Sequence, residues 1–249
     1  MWTDIYRPII IAHRGDKTHA PENTLAAFKL AAENGADAIE FDVKLTADER
    51  VIVLHDQTVN RTTTGTGKIF QLPFAVVRNL DAGGWFSEDY RGERIPTLDE
   101  VFETVGKRLY INIELTNYAT PGDGLVPKVV DLVKKHGLQD RMLFSSFFAR
   151  NLQITRSLLP EVPRGLLCMR GLLGSWGRTF TWRGDYFALH PYLTDVDPGL
   201  VHRVQAAGKS VHVWTVNSEE DLKRMIGLGV NAIITDDPVL ALRLLGRSR

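Results

Sequence analysis

The sequence predicts an α/β fold: a (β/α)8 TIM barrel with a hairpin and an insertion after its second strand. Three observations predict it. Short apolar runs alternate with amphipathic helical stretches, the pattern of a parallel sheet built from βαβ units. Eight such units in 249 residues match the usual size of this barrel. A further apolar run, Val51–Leu54, follows the second strand after only Thr46–Glu49. That is too short for a parallel crossover, so the run returns antiparallel.

Taken in order, the first strand is Ile9–Ala12, and it runs into His13-Arg14-Gly15. Thr24–Asn34 reads as a helix stopped by Gly35. Ala38–Val43 is the second strand, and Val51–Leu54 is the hairpin arm that brings His55 back to the rim above Asp42. Residues 56–96 form an insertion that includes Thr62–Gly67 and Asp81–Phe86. Loops of this length are functional or mobile, with plain surface elaboration as the competing account.

Thr97-Leu98-Asp99-Glu100 is a capping box that opens a helix through Val105. Leu109–Leu115 is the third strand, and the helix Leu125–His136 ends at Gly137. Met142–Ser145, Gly165–Met169 and Tyr186–His190 are the fourth, fifth and sixth strands; Val211–Val216 is the seventh. A helix opens at Ser218, runs through Leu228 and stops at Gly229; Ala232–Thr235 is the eighth strand, and Pro238 suits the first turn of the last helix. The rival fold is an open doubly wound sheet, disfavoured because no G-x-G-x-x-G turn follows any strand. Residues 1–249 are therefore expected to form one barrel domain.

Composition narrows the function. Thirty basic and thirty acidic side chains cancel, which leaves no electrostatic footprint of a nucleic-acid binder. The single cysteine, Cys168, lies in the apolar stretch Gly165–Met169 and reads as an inert core thiol. Met1–Arg7 lacks the basic start of a secretory signal, and no run reaches membrane-span length. A cytoplasmic protein without a membrane span is the expectation; oligomeric state is not legible.

Polar residues gather at the strand ends. His13 and Arg14 end the first strand, Glu40 and Asp42 share one face of the second, and Glu114 ends the third. In such barrels the site lies at the carboxyl ends of the strands. Carboxylates side by side require a cation: either a divalent metal, Mg²⁺ or Ca²⁺ for oxygen-only ligands, or an arginine or lysine in an internal salt bridge. Two histidines, His13 and His55, suit general acid and base work. Arg14 presents a planar fork for a phosphate, or else pairs with a rim carboxylate.

Other positions read more plainly. His19 is assigned no partner, Asn23 and Thr24 are helix caps, and Asp236-Asp237 answers the last helix's dipole. His190 closes the sixth strand and is weighed as a further site residue, with a place apart from the site as the favoured reading. Trp214, Phe147 and Phe148 are either pocket walls or core.

The short motifs His13-Arg14-Gly15, Pro21-Glu22-Asn23-Thr24, Glu40-Phe41-Asp42-Val43, Val53-Leu54-His55-Asp56, Asn112-Ile113-Glu114, Trp214-Thr215-Val216-Asn217 and Thr235-Asp236 together resemble the glycerophosphodiester phosphodiesterases. The likeness runs from Pro8 to about Pro238. It implies a divalent cation, Mg²⁺ or Ca²⁺, held by Glu40, Asp42 and Glu114. It implies His13 and His55 as general acid and base, and Arg14 on the phosphate. The implied reaction converts a small-molecule glycerophosphodiester to glycerol 3-phosphate and an alcohol such as choline or ethanolamine, through attack by the glycerol 2-hydroxyl. Many members carry a lysine two residues after the third carboxylate. Here that position is Thr116, and Lys44, two residues after Asp42, is the replacement expected from strand alternation.

Three other readings compete. A lysophospholipase D would use Trp85 and Phe86 to hold an acyl chain. A catalytically silent barrel would bind a phosphoester, although silent relatives should lose a histidine or a carboxylate. A non-phosphate metal barrel, such as a sugar isomerase, has no need of Arg14. The leaving alcohol, the choice of metal and the assignment of acid and base are not legible.

Overall fold

In the computed structural model, the apolar runs become nine strands among the described residues, which are 2, 5, 8–180 and 184–247. Of the opening Met1–Arg7 stretch, only Trp2 and Ile5 lie within them. The strands are β1 (Ile9–His13), β2 (Ala38–Leu45), β3 (Val51–Val53), β4 (Tyr110–Leu115), β5 (Met142–Ser146), β6 (Arg164–Leu167), β7 (Ala188–His190), β8 (Ser210–Val213) and β9 (Ala232–Thr235). All but β3 are parallel, in the order β1-β9-β8-β7-β6-β5-β4-β2, and the pairing of β1 with β2 closes the barrel. β3 lies antiparallel on β2, with Val43 opposite Val53 and Leu45 opposite Val51, as the short connection requires.

Helices fill the connections: α1 (Leu25–Glu33), α2 (Phe74–Val77), α3 (Leu98–Val105), α4 (Leu125–His136), α5 (Ala149–Leu158), α6 (Ser175–Phe180), α7 (Pro198–Ala206), α8 (Glu219–Gly227) and α9 (Pro238–Leu244). The caps follow the sequence signals. Thr97 and Glu100 form both halves of the capping box, and Gly137 ends α4 in the left-handed region at φ +64°. The short or weakly patterned helices α2, α5, α6 and α7 are not evident in the sequence. Strand ends also shift by one to three residues: β2 runs on to Leu45, while β6 and β8 stop before Met169 and Val216.

Alternation along β2 sorts its side chains. Ile39, Phe41 and Val43 pack outward with Ile111, Ile113 and the α3 and α4 residues Val101, Val129 and Val133. Glu40, Asp42 and Lys44 therefore point to the barrel axis. The lower part of that axis is apolar, filled by Ile9, Ile11, Ala38, Leu143 and Ile234, with Trp2 beneath them. The polar residues accordingly collect at the other end, where the strands finish.

Residues 56–96 are not an unstructured loop. Val59, Ile69, Val77, Ala82 and Ile95 pack with Ile52 and Leu54 into a small core of their own. That core fixes the segment against β3, and with it the path of the chain beyond His55.

Candidate active site

β1 ends in a tight turn that presents two functional side chains. Arg14 adopts φ +59° and Gly15 φ +86°. A Cβ on Gly15 would lie 2.7 Å from the Ala27 Cβ and 2.8 Å from its carbonyl carbon, so both the backbone angle and the close approach of α1 demand glycine. Arg14 pays strain to sit there, of the kind that clusters at working sites. The Arg14 amide donates to the Glu40 carbonyl (2.8 Å), and the Asn23 amide donates to the Arg14 carbonyl (2.9 Å). The turn is thereby fastened to β2.

Glu40, Asp42 and Glu114 converge: one carboxylate oxygen from each lies within 4.8 Å of the others. The register explains it, since Asp42 sits directly opposite Glu114 on the neighbouring strand. Burial and the adjacent carboxylates push Glu40 well above the usual carboxylate range. The same causes raise Glu114 to about 8. Burial would also raise Asp42, but Arg14 beside it prevails and holds it low. The protein's own cations thus balance only part of this cluster. Glu40 Oε2 is buried with no hydrogen-bond partner. Three converging oxygen donors, one of them orphaned, fit a hard divalent cation better than a closed internal salt bridge.

Both histidines are held from behind by a carboxylate. His13 Nδ1 contacts Asp236 Oδ1 at 2.6 Å, and His55 Nδ1 contacts Asp56 Oδ1 at 2.7 Å. This leaves Nε2 as the free nitrogen in each ring; that of His13 lies 3.9 Å from Glu40 Oε2. His55 lines a cavity of about 570 Å³ together with Asp42, Lys44 and Glu114, with Tyr118, Phe147, Phe148 and Met169 as its apolar wall. Burial lowers the pKa of His13, against the pull of its bond to Asp236.

An ion-pair chain joins the support of His55 to the acidic cluster. Arg61, from the insertion, donates to both oxygens of Asp56 and both of Glu22. Glu22 also accepts from Arg14 (2.9 Å), whose Nε lies 3.5 Å from Asp42 Oδ2. Although burial opposes it, Arg61 and Arg14 hold Glu22 at about 2. Arg14 Nε is itself buried without a hydrogen-bond partner, so this guanidinium retains a donor.

Lys44 occupies the expected place. Its Nζ donates to Thr116 Oγ1 (2.9 Å) and to the Thr116 carbonyl (3.1 Å), beneath the cavity it lines. Trp214 borders a small recess with His13, Glu40 and Glu114, and its Nε1 donates to the His190 carbonyl (2.8 Å).

Several sequence readings are corrected. His190 does not reach the site: it is fully buried, with no protein partner on either ring nitrogen, and it packs against Gly165 and the His212 ring. His19 does have a partner, Asp16 at 2.8 Å. Thr24 caps α1, but Asn23 reaches Asp42 instead (3.3 Å). Asp237 caps α9, whereas Asp236 serves His13. Trp85 and Phe86 pack on one another, and Phe86 on Tyr90; neither is among the cavity's lining residues, so the acyl-holding role weighed for them loses its support. The residues missed are Asp236, Asp56, Arg61 and Tyr118. Asp56 and Asp236 lie inside motifs that carry the resemblance, but with no site role assigned to them; Arg61 and Tyr118 carry no local signal.

Comparison with known proteins bears on the fold and the family. The model of the glycerophosphoryl diester phosphodiesterase family matches residues 13–240. A Caldanaerobacter subterraneus protein named glycerophosphodiester phosphodiesterase is 41% identical over 239 residues, covering 96% of this chain and 98% of that one. A Bacillus altitudinis protein of the same name is 36% identical, covering 94% and 97%. Among solved structures, an Oleispira antarctica phosphodiesterase in complex with the product sn-glycerol-3-phosphate superposes with a TM-score of 0.89 at 33% identity, covering 96% of this chain and 97% of that one. A barrel of this topology, an acidic cluster at its mouth and full-length matches of this strength lead to one assignment: the chain belongs to the glycerophosphoryl diester phosphodiesterase family.

Proposed function

We propose that the protein hydrolyses glycerophosphodiesters to glycerol 3-phosphate and an alcohol, with His13 and His55 as the proton-transfer pair. In this reading Glu40, Asp42 and Glu114 hold one divalent cation, Mg²⁺ or Ca²⁺, and Arg14 and Lys44 face the phosphate. The single observation that supports it best is the matched pair of imidazole–carboxylate contacts, His13–Asp236 and His55–Asp56, flanking one acidic cluster. The Oleispira antarctica relative holds sn-glycerol-3-phosphate, which is the product this reaction releases.

A bound cation supplies neutralisation of the phosphate oxygens and a lower pKa for the attacking hydroxyl. The chain's own groups do the rest. Arg14, fixed by Glu22, offers its remaining donor to the phosphate. One neutral imidazole takes the proton of the glycerol 2-hydroxyl as that oxygen attacks phosphorus. The other imidazole, protonated, gives its proton to the departing alcohol oxygen as the P–O bond breaks. Water then opens the resulting cyclic diester through the same two rings with their roles exchanged. Asp236 and Asp56 fix the tautomer that keeps each Nε2 at work, and the Trp214 ring walls the glycerol side.

The test is direct incubation with glycerophosphocholine and glycerophosphoethanolamine, with Mg²⁺ or Ca²⁺ and with chelator. Release of glycerol 3-phosphate that the chelator abolishes is expected. No glycerol 3-phosphate from either ester, with metal present, overturns the proposal.

A further inference from the structure

Beyond the catalytic cluster, the same end of the barrel carries a second conspicuous feature. The connection from β6 to α6 turns at Gly171–Gly174 and lifts Leu172 and Leu173 clear of the surface, 92% and 81% exposed. Met169 is 47% exposed and Phe148 38%. Phe148 follows β5, and the other three follow β6. All four therefore stand at the strands' carboxyl ends, the end that bears Asp42 and Glu114. Met169 and Leu173 line an apolar cavity of about 390 Å³ with Phe147, Leu166 and Tyr186. Phe147 and Met169 also line the cavity that holds His55 and Glu114. Apolar surface is thus continuous from the catalytic cavity to the leucine turn, where isolated exposed residues would need no explanation.

The free charge beside this surface has one sign. Exposed Arg150 follows Ala149, a lining residue of the apolar cavity. Exposed Arg170 immediately precedes the turn, with its guanidinium 5.4 Å from the centre of the Tyr192 ring. Neither arginine has an ion pair among the described residues. The carboxylate that reaches the turn, Asp195, is already engaged by the Gly171 amide (2.8 Å) and Arg178 (3.0 Å).

We propose that the leucine turn is a peripheral docking surface for an anionic lipid bilayer, which orients the catalytic mouth toward the membrane. Leu172 and Leu173 enter the boundary between headgroups and acyl chains, and Arg150 and Arg170 rest on lipid phosphates. The shape suits this occupant, because two leucines on a short projecting turn insert into a fluid layer more readily than they form a flat protein interface. A second copy of the chain fits less well. A two-fold contact sets the same patch against itself and brings arginine against arginine. No helix among the described residues is long and apolar enough to cross a membrane, so the contact is superficial. The docking goes beyond the hydrolytic reading and does not depend on it.

The experiment is co-sedimentation of the full chain with vesicles of phosphatidylglycerol and phosphatidylcholine (1:1) and with phosphatidylcholine alone. Binding to the mixed vesicles, weaker to the neutral ones, is expected. Leu172→Asp with Leu173→Asp should lower vesicle partitioning at least tenfold, from about a factor of ten or more per buried leucine. Hydrolysis of soluble glycerophosphocholine should stay within about twofold, since an exposed substitution leaves the reaction machinery intact. Arg150→Glu with Arg170→Glu should abolish the preference for the anionic vesicles, at about fivefold per arginine. Leu172→Gln with Leu173→Gln repeats the test without added charge. Absence of wild-type binding to either vesicle, or unchanged binding by both leucine variants, overturns the proposal. So does concentration-dependent dimerisation that the leucine variants abolish in the absence of vesicle binding. Vesicle binding by a chain that hydrolyses no diester would instead sink the hydrolytic reading and leave docking intact.

Discussion

His13 Nδ1 and Asp236 Oδ1 lie 2.6 Å apart, joining the end of the first barrel strand to the end of the last across 223 positions of sequence. The contact exists because the barrel closes, with Ala12 opposite Thr235 in the β1–β9 register. Asp236 is itself held in place: Asn217 Nδ2 donates to its Oδ2 (2.8 Å), and Lys17 Nζ stands 3.1 Å from its Oδ1. A carboxylate pinned this firmly acts as an orienting support for the imidazole.

Asp236→Asn should lower kcat on glycerophosphocholine about 10- to 100-fold, the usual cost of losing an orienting partner, with KM little changed. Its neighbour is the internal control. Asp237 caps α9 by accepting from the Leu240 amide (2.9 Å). Asp237→Ala should cost about 1 kcal/mol of stability and leave kcat near wild type. Equal kinetic loss in both variants, measured by steady-state assay, would remove the orienting role.

Tyr118 should tune cation affinity. Its hydroxyl donates to Glu114 Oε1 at 2.9 Å while accepting the Phe147 amide at 3.0 Å. The ring is braced by Phe148 at 4.8 Å between centroids. Tyr118→Phe keeps the brace and removes the donor. Calorimetric titration with Mg²⁺ should give an affinity about 10-fold weaker, the lower end of the range for outer partners of metal ligands. Unchanged affinity in the variant would show that Glu114 needs no such support.

The Lys44–Thr116 pair suggests an exchange. The two residues meet across adjacent strands at 2.9 Å, so a lysine placed on either can bring its ammonium to the same neighbourhood. Lys44→Thr should reduce kcat/KM about 10-fold or more, as expected for a lost charged contact to a phosphate. The double variant Lys44→Thr with Thr116→Lys should recover most of that loss. A double variant no better than the single one would mean that the position of the stem, rather than the charge, matters.

The part of this molecule legible in the sequence is the part written in short-range pattern. Glu40 and Asp42 declare a shared face by alternation, and Val51–Leu54 declares its antiparallel return by the shortness of Thr46–Glu49. Helix ends were visible wherever a cap had a specific chemistry, as at Thr97 and Gly137. What escaped depends on closure and on side-chain reach. Asp236 looked like a dipole partner because its neighbour Asp237 is one. Arg61 lies in an insertion whose path is set by a small core of Val59, Ile69 and Val77, which no periodicity announces. His190 ends a strand just as His13 does. Its ring instead lies among Gly165 and His212, which its sequence position cannot reveal.

His190 supplies a pH test of the folded barrel. Burial without any hydrogen-bond partner pushes its pKa down to about 3, whereas in the unfolded chain it returns to about 6.5. The folded-state value is the lower one. Above pH 6.5 neither state binds the proton, and His190 takes nothing from the barrel's stability. Below that, the unfolded chain takes up a proton that the folded chain refuses, so the His190 contribution lowers stability as the pH drops from 6.5 toward 3. The limiting slope is about 1.4 kcal/mol per pH unit. His13, also lowered by burial, adds to the same window. Glu22 and Asp56, each held at about 2, lose their contribution only as the pH falls through the carboxylate range and below it. Glu40, Glu114 and His19, all raised, act with the opposite sign between pH 7 and 5, equally in wild type and variant, so the test is the difference between the two proteins. His190→Leu removes one of the two contributions and replaces an unpartnered buried polar ring with apolar surface. Urea midpoints measured at pH 7, 6 and 5 should therefore show the variant gaining on the wild type as the pH falls. An identical pH dependence in the two proteins would show that the His190 ring finds a proton partner inside the barrel after all.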